Sequence, residues 1–316
     1  MIGSHTRPVA LLDALGCSIV GQRPVLETLV LTVIAGGHVL LEGAPGVAKT
    51  LACRALAAAI GGTFRRIQFT PDLLPSDIVG TRVFDQRSAT FATVPGPIFA
   101  NVVLADEINR APAKVQSALL EGMQEHHATI GPETLPFPDP FVVLATMNPL
   151  DGDGTYALPL AQMDRFLAKI IVGYPGRDDE CAIVDRFGSS DVLLPENVVS
   201  LDDVRSWRTA ARAVFLDGKL RDYIVDIVRA TREPALLGEF GKYIESGASP
   251  RAALALAQLV RARAFLEERD FATPDDVRDL APSVLRHRIA YGYRVATDGV
   301  DVEAIVAAAI GAVHAP

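Results

Sequence analysis

The chain has 316 residues, 49% hydrophobic and 22% charged, which is enough to bury a large core and, at roughly 100 to 200 residues per domain, to form two domains. A formal net charge of −8 supplies no overall basic field, so nucleic acid is not expected as a partner, although a local basic groove would be hidden in the sum. The longest apolar stretch, 29–41, is too short and too interrupted by Thr32, His38 and two glycines to span a bilayer, and MIGSHTRPVA lacks the apolar centre of a secretory signal. A cytoplasmic protein without membrane insertion is expected.

In chain order, HVLLEG (38–43) reads as a buried strand, 51–60 as a helix and FRRIQFT (64–70) as a half-buried strand. The segment 77–96 reads as two short strands around a turn. NVVLADE (101–107), FVVLATMN (141–148) and FLAKIIVG (166–173) read as three further strands. Between them, 112–125 places Val115, Ala118, Leu119 and Gly122 on one face of a helix, with Pro112 expected at its first position. Five strands alternating with helices predict an α/β fold, a mostly parallel sheet with helices on both faces. After YPGRDD (174–179) only helical patterns follow, at 178–187, 201–214, 219–231, 250–268, 274–290 and 301–313. Ser249 before Pro250 is a cap and first turn. The expected division is a core domain over 1–175 and an all-helical domain over 176–316.

The three cysteines, Cys17, Cys53 and Cys181, lie far apart without metal or redox spacing and read as reduced thiols in packing positions. His126 and His127 have no third partner in sequence and read as an exposed turn rather than a metal site.

GAPGVAKT (43–50) departs from the phosphate-loop pattern G-x-x-x-x-G-K-S/T only at Ala48. It follows a strand and precedes a helix, where unpaired amides and the helix dipole both favour negative charge. The loop Gly43, Ala44, Pro45, Gly46, Val47, Ala48 and on to Leu51 would cradle phosphates, with Lys49 reaching the β/γ-phosphates and Thr50 binding Mg²⁺. A plain Gly/Pro turn before a helix would carry similar residues. The strand VVLADE ends in two acids, which are costly to bury unless paired or metal-bound. Asp106 suits Mg²⁺, usually through water, and Glu107 suits polarising an attacking water, while acids at a strand end also serve as helix caps.

LLEGAPGVAKTLACRALA, VVLADEINRAPAKVQSALLEGMQE, VLATMNPLDGDGTYALPLAQMDRF and GASPRA, in this order, resemble the MoxR family of AAA+ ATPases from about residue 20 to residue 255. The resemblance implies a P-loop core followed by a helical lid, binding ATP and Mg²⁺. The family commonly carries alanine at the position of Ala48. Because a methyl group penalises only a left-handed backbone, φ at Ala48 is expected to be negative. The resemblance further implies that Asn148 is sensor 1, that Arg165 in Met163-Asp164-Arg165-Phe166 is an arginine finger given to a neighbour, and that Arg251 is sensor 2. Val20, Gly21 and Gln22 match the segment that borders adenine. The strands within 77–96 match the helix-2 insert, and 126–141 matches a hairpin before sensor 1, both facing a pore. Met147 and Leu160 depart from the glutamine and glutamate usual there, and Leu160 lies five residues before Arg165.

An arginine supplied from outside implies a homo-oligomer, for this family a ring and usually a hexamer. The resemblance also implies a chaperone-like role on a client protein, with a separate partner carrying a von Willebrand factor A domain. A magnesium-chelatase-like motor subunit and a nucleic-acid-acting AAA+ motor would use the same nucleotide site, as would a scaffold that binds ATP without turnover. For nucleic acid the basic content of the hairpins, Arg82 and Arg87, is thin.

Overall fold

The structure is a computed structural model that describes residues 6–87, 89–148, 155–188 and 192–316. It opens with α1 (Pro8–Ser18), α2 (Arg23–Ala35), β1 (Val39–Gly43), α3 (Lys49–Ala59), β2 (Phe64–Gln68) and α4 (Pro75–Val79). Next come β3 (Gly80–Asp85), β4 (Thr90–Pro95), β5 (Val102–Asp106), α5 (Ala113–Glu125), β6 (His127–Ile130), β7 (Glu133–Pro136) and β8 (Val142–Met147). Then follow α6 (Leu160–Met163), β9 (Ala168–Val172), α7 (Arg177–Phe187), α8 (Leu201–Ala213) and α9 (Gly218–Ala230). The chain closes with β10 (Ile244–Ser246), α10 (Pro250–Leu266), α11 (Pro274–Leu285), β11 (Ala290–Tyr291), α12 (Arg294–Asp298) and α13 (Val302–Gly311).

Two compact units result, one built of the chain up to Leu158 with Ile170–Ser206, the other of Pro159–Lys169 with Trp207–Pro316. The single boundary expected near residue 175 is therefore replaced. The short segment 159–169 goes with the later half of the chain, and the first unit continues through 206.

In the first unit the five-stranded sheet has the order β2-β5-β8-β1-β9, with β2, β5, β8 and β1 paired in parallel. Val102 to Ala105 and Val142 to Ala145 are fully buried, as continuous apolar runs must be when helices cover both faces. β2 lies at an edge, where FRRIQ keeps Arg65 and Arg66 exposed, and charge on an edge strand discourages pairing with another chain. The chain leaves β1 toward β2 at one edge and leaves the adjacent β8 toward β9 at the other, so connections from these two neighbouring strands run in opposite directions. The crevice at the strand C-termini there is the natural ligand position. Both expected hairpins form, β3 with β4 and β6 with β7.

In the second unit, α9 buries Leu220, Ile224 and Ile227, α11 buries Val277, Leu280 and Val284, and α13 buries Ile305, Val306 and Ala309. These spacings of three and four residues make one apolar stripe per helix. Ser249 caps α10 as expected, its side chain accepting from the Arg251 amide.

Some expectations are corrected. Pro112 is the cap of α5 rather than its first residue: with ψ of 154° it is extended, and its carbonyl accepts from Val115 and Gln116. The second half is not purely helical, since β10 and β11 pair antiparallel, too short to give a periodic signal. Cys53 is buried, but Cys17 and Cys181 are exposed and fill no packing position. His126 and His127 are exposed as expected, His126 as the left-handed cap of α5, but His127 opens β6 rather than lying in a turn.

Candidate active site

The loop begins where β1 ends beside β9. A Cβ on Gly43 would lie 2.4 Å from the Val172 carbonyl oxygen, so this position requires glycine. Val47 is buried and pins the loop, and Gln22 Nε2 reaches the Val47 and Gly173 carbonyls at 3.5 Å each. Gly21 has φ of 74°, and a Cβ there would meet the Asp179 side chain at 2.5 Å. The segment Val20, Gly21 and Gln22 is thus fastened to the loop's flank. Lys49 Nζ donates to the Gly43 carbonyl, which folds the side chain back over the loop.

Gly46 and Ala48 are both left-handed, with φ of 85° and 60°. The negative φ expected for Ala48 is overturned. To turn successive amides inward just before α3, the chain needs a left-handed residue at that point. Alanine fills it against a local penalty of roughly 1–2 kcal/mol.

A cavity of about 450 Å³ opens over this loop. It brings Lys49, Thr50 and Leu51 at the start of α3 together with Asp106, Glu107 and Asn148 from the ends of β5 and β8. Thr146 and Arg54 line it as well.

The acid pair is held by residues from two neighbouring strands, β2 and β8, and a turn. Parallel pairing sets Gln68 opposite Asp106 and Arg66 opposite Leu104. Asp106 Oδ2 accepts from Arg66 Nε and Nη2 at 2.9 and 2.7 Å, and Oδ1 accepts from the Thr146 hydroxyl at 2.6 Å. The same hydroxyl oxygen accepts from the Glu107 amide at 2.9 Å. Glu107 is left-handed, φ 56° and ψ 50°, and its Oε2 takes Gln68 Nε2 at 2.9 Å and Arg110 Nε at 3.1 Å. Behind it the turn Ile108–Arg110 is tied down by buried Gln116, whose Nε2 donates to the Ile108 and Ala111 carbonyls.

Sequence reasoning missed Arg66, Gln68, Arg110 and Thr146. The signal available was the alternation of Arg66 and Gln68, two apart on one face of an edge strand, beside a strand ending in acids. Cys53, by contrast, is no hidden nucleophile. Burial and the charge of Asp106 push its thiol far up, and its Sγ donates to the Lys49 carbonyl.

Arg165 and Arg251 belong to the second unit. Arg165 follows α6, with its Nε buried and without a hydrogen-bond partner. Arg251 is exposed in the first turn of α10. They are linked through Asp164, whose Oδ2 accepts from Ser249 Oγ at 2.8 Å.

Among the described residues, no group of three or more His, Cys, Asp or Glu gathers into a metal site. The cavity instead offers a hydroxyl, Thr50, and a carboxylate, Asp106. Those hard oxygens fit Mg²⁺, which keeps waters and takes phosphate oxygens for the rest of its shell. Among the described residues no helix is long and apolar enough to cross a membrane.

Residues 38–168 match the family model described as ATPase family associated with various cellular activities, and 241–309 match an AAA lid domain. Chaperone MoxR1 of Mycobacterium tuberculosis is 48% identical over 91% of this chain and 77% of its own length. Protein MoxR of Paracoccus denitrificans is 32% identical over 87% of this chain and 86% of its own. A crystal structure from Cytophaga hutchinsonii, described as a candidate ATPase, superposes with a TM-score of 0.89 at 42% identity, covering 97% of this chain and 94% of that one.

Proposed function

Since the chain belongs to the MoxR family of AAA+ ATPases and is an ATP-hydrolysing enzyme, we propose that it cleaves Mg²⁺-ATP at the subunit interfaces of a ring, most simply a hexamer, to remodel a client protein. The observation that carries this reading is the single cavity in which the α3 N-terminus and Lys49 meet Asp106 and Glu107. Left-handed Gly46 and Ala48 would aim loop amides at the β- and γ-phosphates, where Lys49 would exchange its bond to Gly43 for phosphate oxygens. Val20, Gly21 and Gln22 would border the adenine. Mg²⁺, held by Thr50 and Asp106, would offset charge on the transferring phosphoryl group.

Glu107 would polarise the attacking water through the carboxylate that Gln68 and Arg110 orient. Asn148 would position that water or contact the γ-phosphate. Arg165 would be given to an adjacent protomer's γ-phosphate, since a planar cation there offsets transition-state charge. Arg251 would contact nucleotide from the lid. The hairpins β3–β4 and β6–β7 would face the pore and move the client. A separate protein with a von Willebrand factor A domain would complete the machine.

Glu107→Gln tests the reading: calorimetry should find ATP affinity within about threefold of the parent, while phosphate release falls by on the order of 10²-fold or more. Ordinary turnover in this variant would refute the assignment.

A further inference from the structure

Arg165 occupies a turn whose backbone is gripped by a consecutive triplet, Arg286, His287 and Arg288. The Arg288 side chain is 2% exposed, and its Nε donates to Asp164 Oδ1 at 2.8 Å. Its Nη1 donates to the Leu167 carbonyl and its Nη2 to the Asp164 and Phe166 carbonyls, which flank Arg165 on both sides. His287 Nε2 lies 3.1 Å from the Phe166 carbonyl, and Arg286 Nη1 donates to that of Lys169 at 2.9 Å. Five carbonyl contacts from three neighbouring side chains fix the path of this turn.

The second oxygen of Asp164 does different work. It accepts from Ser249 Oγ at 2.8 Å, and that oxygen accepts in turn from the Arg251 amide at 3.1 Å. One carboxylate therefore joins the turn of Arg165 to the first turn of α10. A buried ion pair adds little net stability over an apolar substitute, but it fixes geometry wherever both partners are fully bonded.

We propose that Asp164 and Arg288 are positioning residues that hold Arg165 for delivery to a neighbouring protomer, and that the Asp164–Ser249 bond makes Arg165 and Arg251 move as one piece. This rests on the reading of Arg165 as the residue given in trans. A displacement of the guanidinium by about 1 Å lowers the rate by on the order of 10²-fold, so loss of the brace should be read in kcat while ATP affinity stays within about threefold.

The test uses full-length chains with ATP as the probe. Asp164→Ala and Arg165→Ala are each assayed alone and mixed with Glu107→Gln chains, which hydrolyse poorly yet carry an intact Arg165. Alone, Asp164→Ala should lose on the order of 10²-fold in kcat. In the mixture its sites should recover, as those of Arg165→Ala do, because the neighbour supplies a well-held arginine. Ser249→Ala should lose roughly tenfold with the same recovery, and Ser249→Thr, which restores a hydroxyl, should return to the parent rate.

If mixing rescues Arg165→Ala but neither Asp164→Ala nor Ser249→Ala, the brace acts only on folding and the proposal is overturned. Full activity in Ser249→Ala would overturn the coupling of the two arginines. Full activity in Arg165→Ala would remove the trans reading and this inference with it. Should Asp164→Ala fail to fold, Ser249→Ala carries the test, since it leaves the Asp164–Arg288 pair whole.

Discussion

Replacing Ala48 by glycine should stabilise the protein, although it deletes a methyl group from the rim of the active cavity. An L-residue in the left-handed region, where Ala48 sits at φ 60° and ψ 18°, carries roughly 1–2 kcal/mol of strain that glycine escapes. Against this, the freer glycine backbone of the unfolded chain takes back about 0.4–1 kcal/mol. Ala48 is half-buried, so loss of its methyl forfeits about 0.4 kcal/mol of burial. Ala48 is also the cap of α3, a position where glycine is preferred over alanine by several tenths of a kcal/mol or more. The sum is a gain of about 0.5–1 kcal/mol. The reverse change at the other left-handed loop position, Gly46→Ala, meets no atom within 4 Å of the new Cβ and should lose about 1 kcal/mol through backbone strain alone. Urea unfolding followed by far-UV circular dichroism measures both as midpoint shifts at constant slope. Tryptophan fluorescence is the wrong probe, because the single tryptophan, Trp207, lies in the second unit. A lower midpoint for Ala48→Gly, or an unchanged one for Gly46→Ala, would refute the strain argument.

Arg66→Ala should lower the Mg²⁺ concentration needed for half-maximal ATPase activity, because the guanidinium competes for the Asp106 oxygen that would serve the metal. Arg66 is half exposed, so the competition is screened to about 1 kcal/mol, roughly a fivefold shift in a magnesium titration; an unchanged or higher requirement contradicts it. A second prediction concerns pH. Burial, aided by the charge of Arg288, holds His287 well below its ordinary pKa, so the folded protein keeps it neutral while the unfolded chain takes up a proton below about pH 6.5. Its stabilising contribution is complete above that pH and is lost as pH falls, by up to about 1.4 kcal/mol per pH unit. Unfolding midpoints between pH 7 and 5 should therefore slope downward, and His287→Gln should flatten the slope. An equal slope in the variant would show that other groups set it.

The strands of the sheet and most helices were legible because their signals are local. VVLADE and HVLLEG are apolar runs of strand length, and Ser249-Pro250 is a start signal that needs no tertiary partner. The residues around the acid pair were legible only in part. Asp106 and Glu107 stand out as charges closing an apolar strand, but Arg66 and Gln68 acquire meaning only once β2 is known to pair with β5 in the register that sets Gln68 beside Asp106. Arg288 is further from reach still. As one arginine among many in a helical half, nothing adjacent in sequence marks it as buried, and its partner lies 124 residues earlier.

Ala48 shows why a locally sound inference can fail at a functional site. Propensity correctly states that alanine resists a left-handed backbone, yet it is outvoted by tertiary constraints. Val47 is buried on one side of it, Gln22 bonds the Val47 carbonyl, and α3 begins on the other side, so the backbone is anchored on both sides of Ala48. Glu107 repeats the pattern across the cavity: its left-handed backbone is fixed by the Thr146 hydroxyl at its amide and by Gln116 at the carbonyls of the following turn. Both strained residues face the same space, and strain persists only where surrounding bonds over-determine it. The bonds that hold Ala48 and Glu107 lie within the first unit, so relaxing either should blunt hydrolysis without unfolding the lid. On this argument Thr146→Val, which keeps the shape but removes both the acceptor for the Glu107 amide and the donor to Asp106, should lower ATP turnover while Trp207 fluorescence reports an unchanged second unit; full turnover would mean that the strain at Glu107 has no part in catalysis.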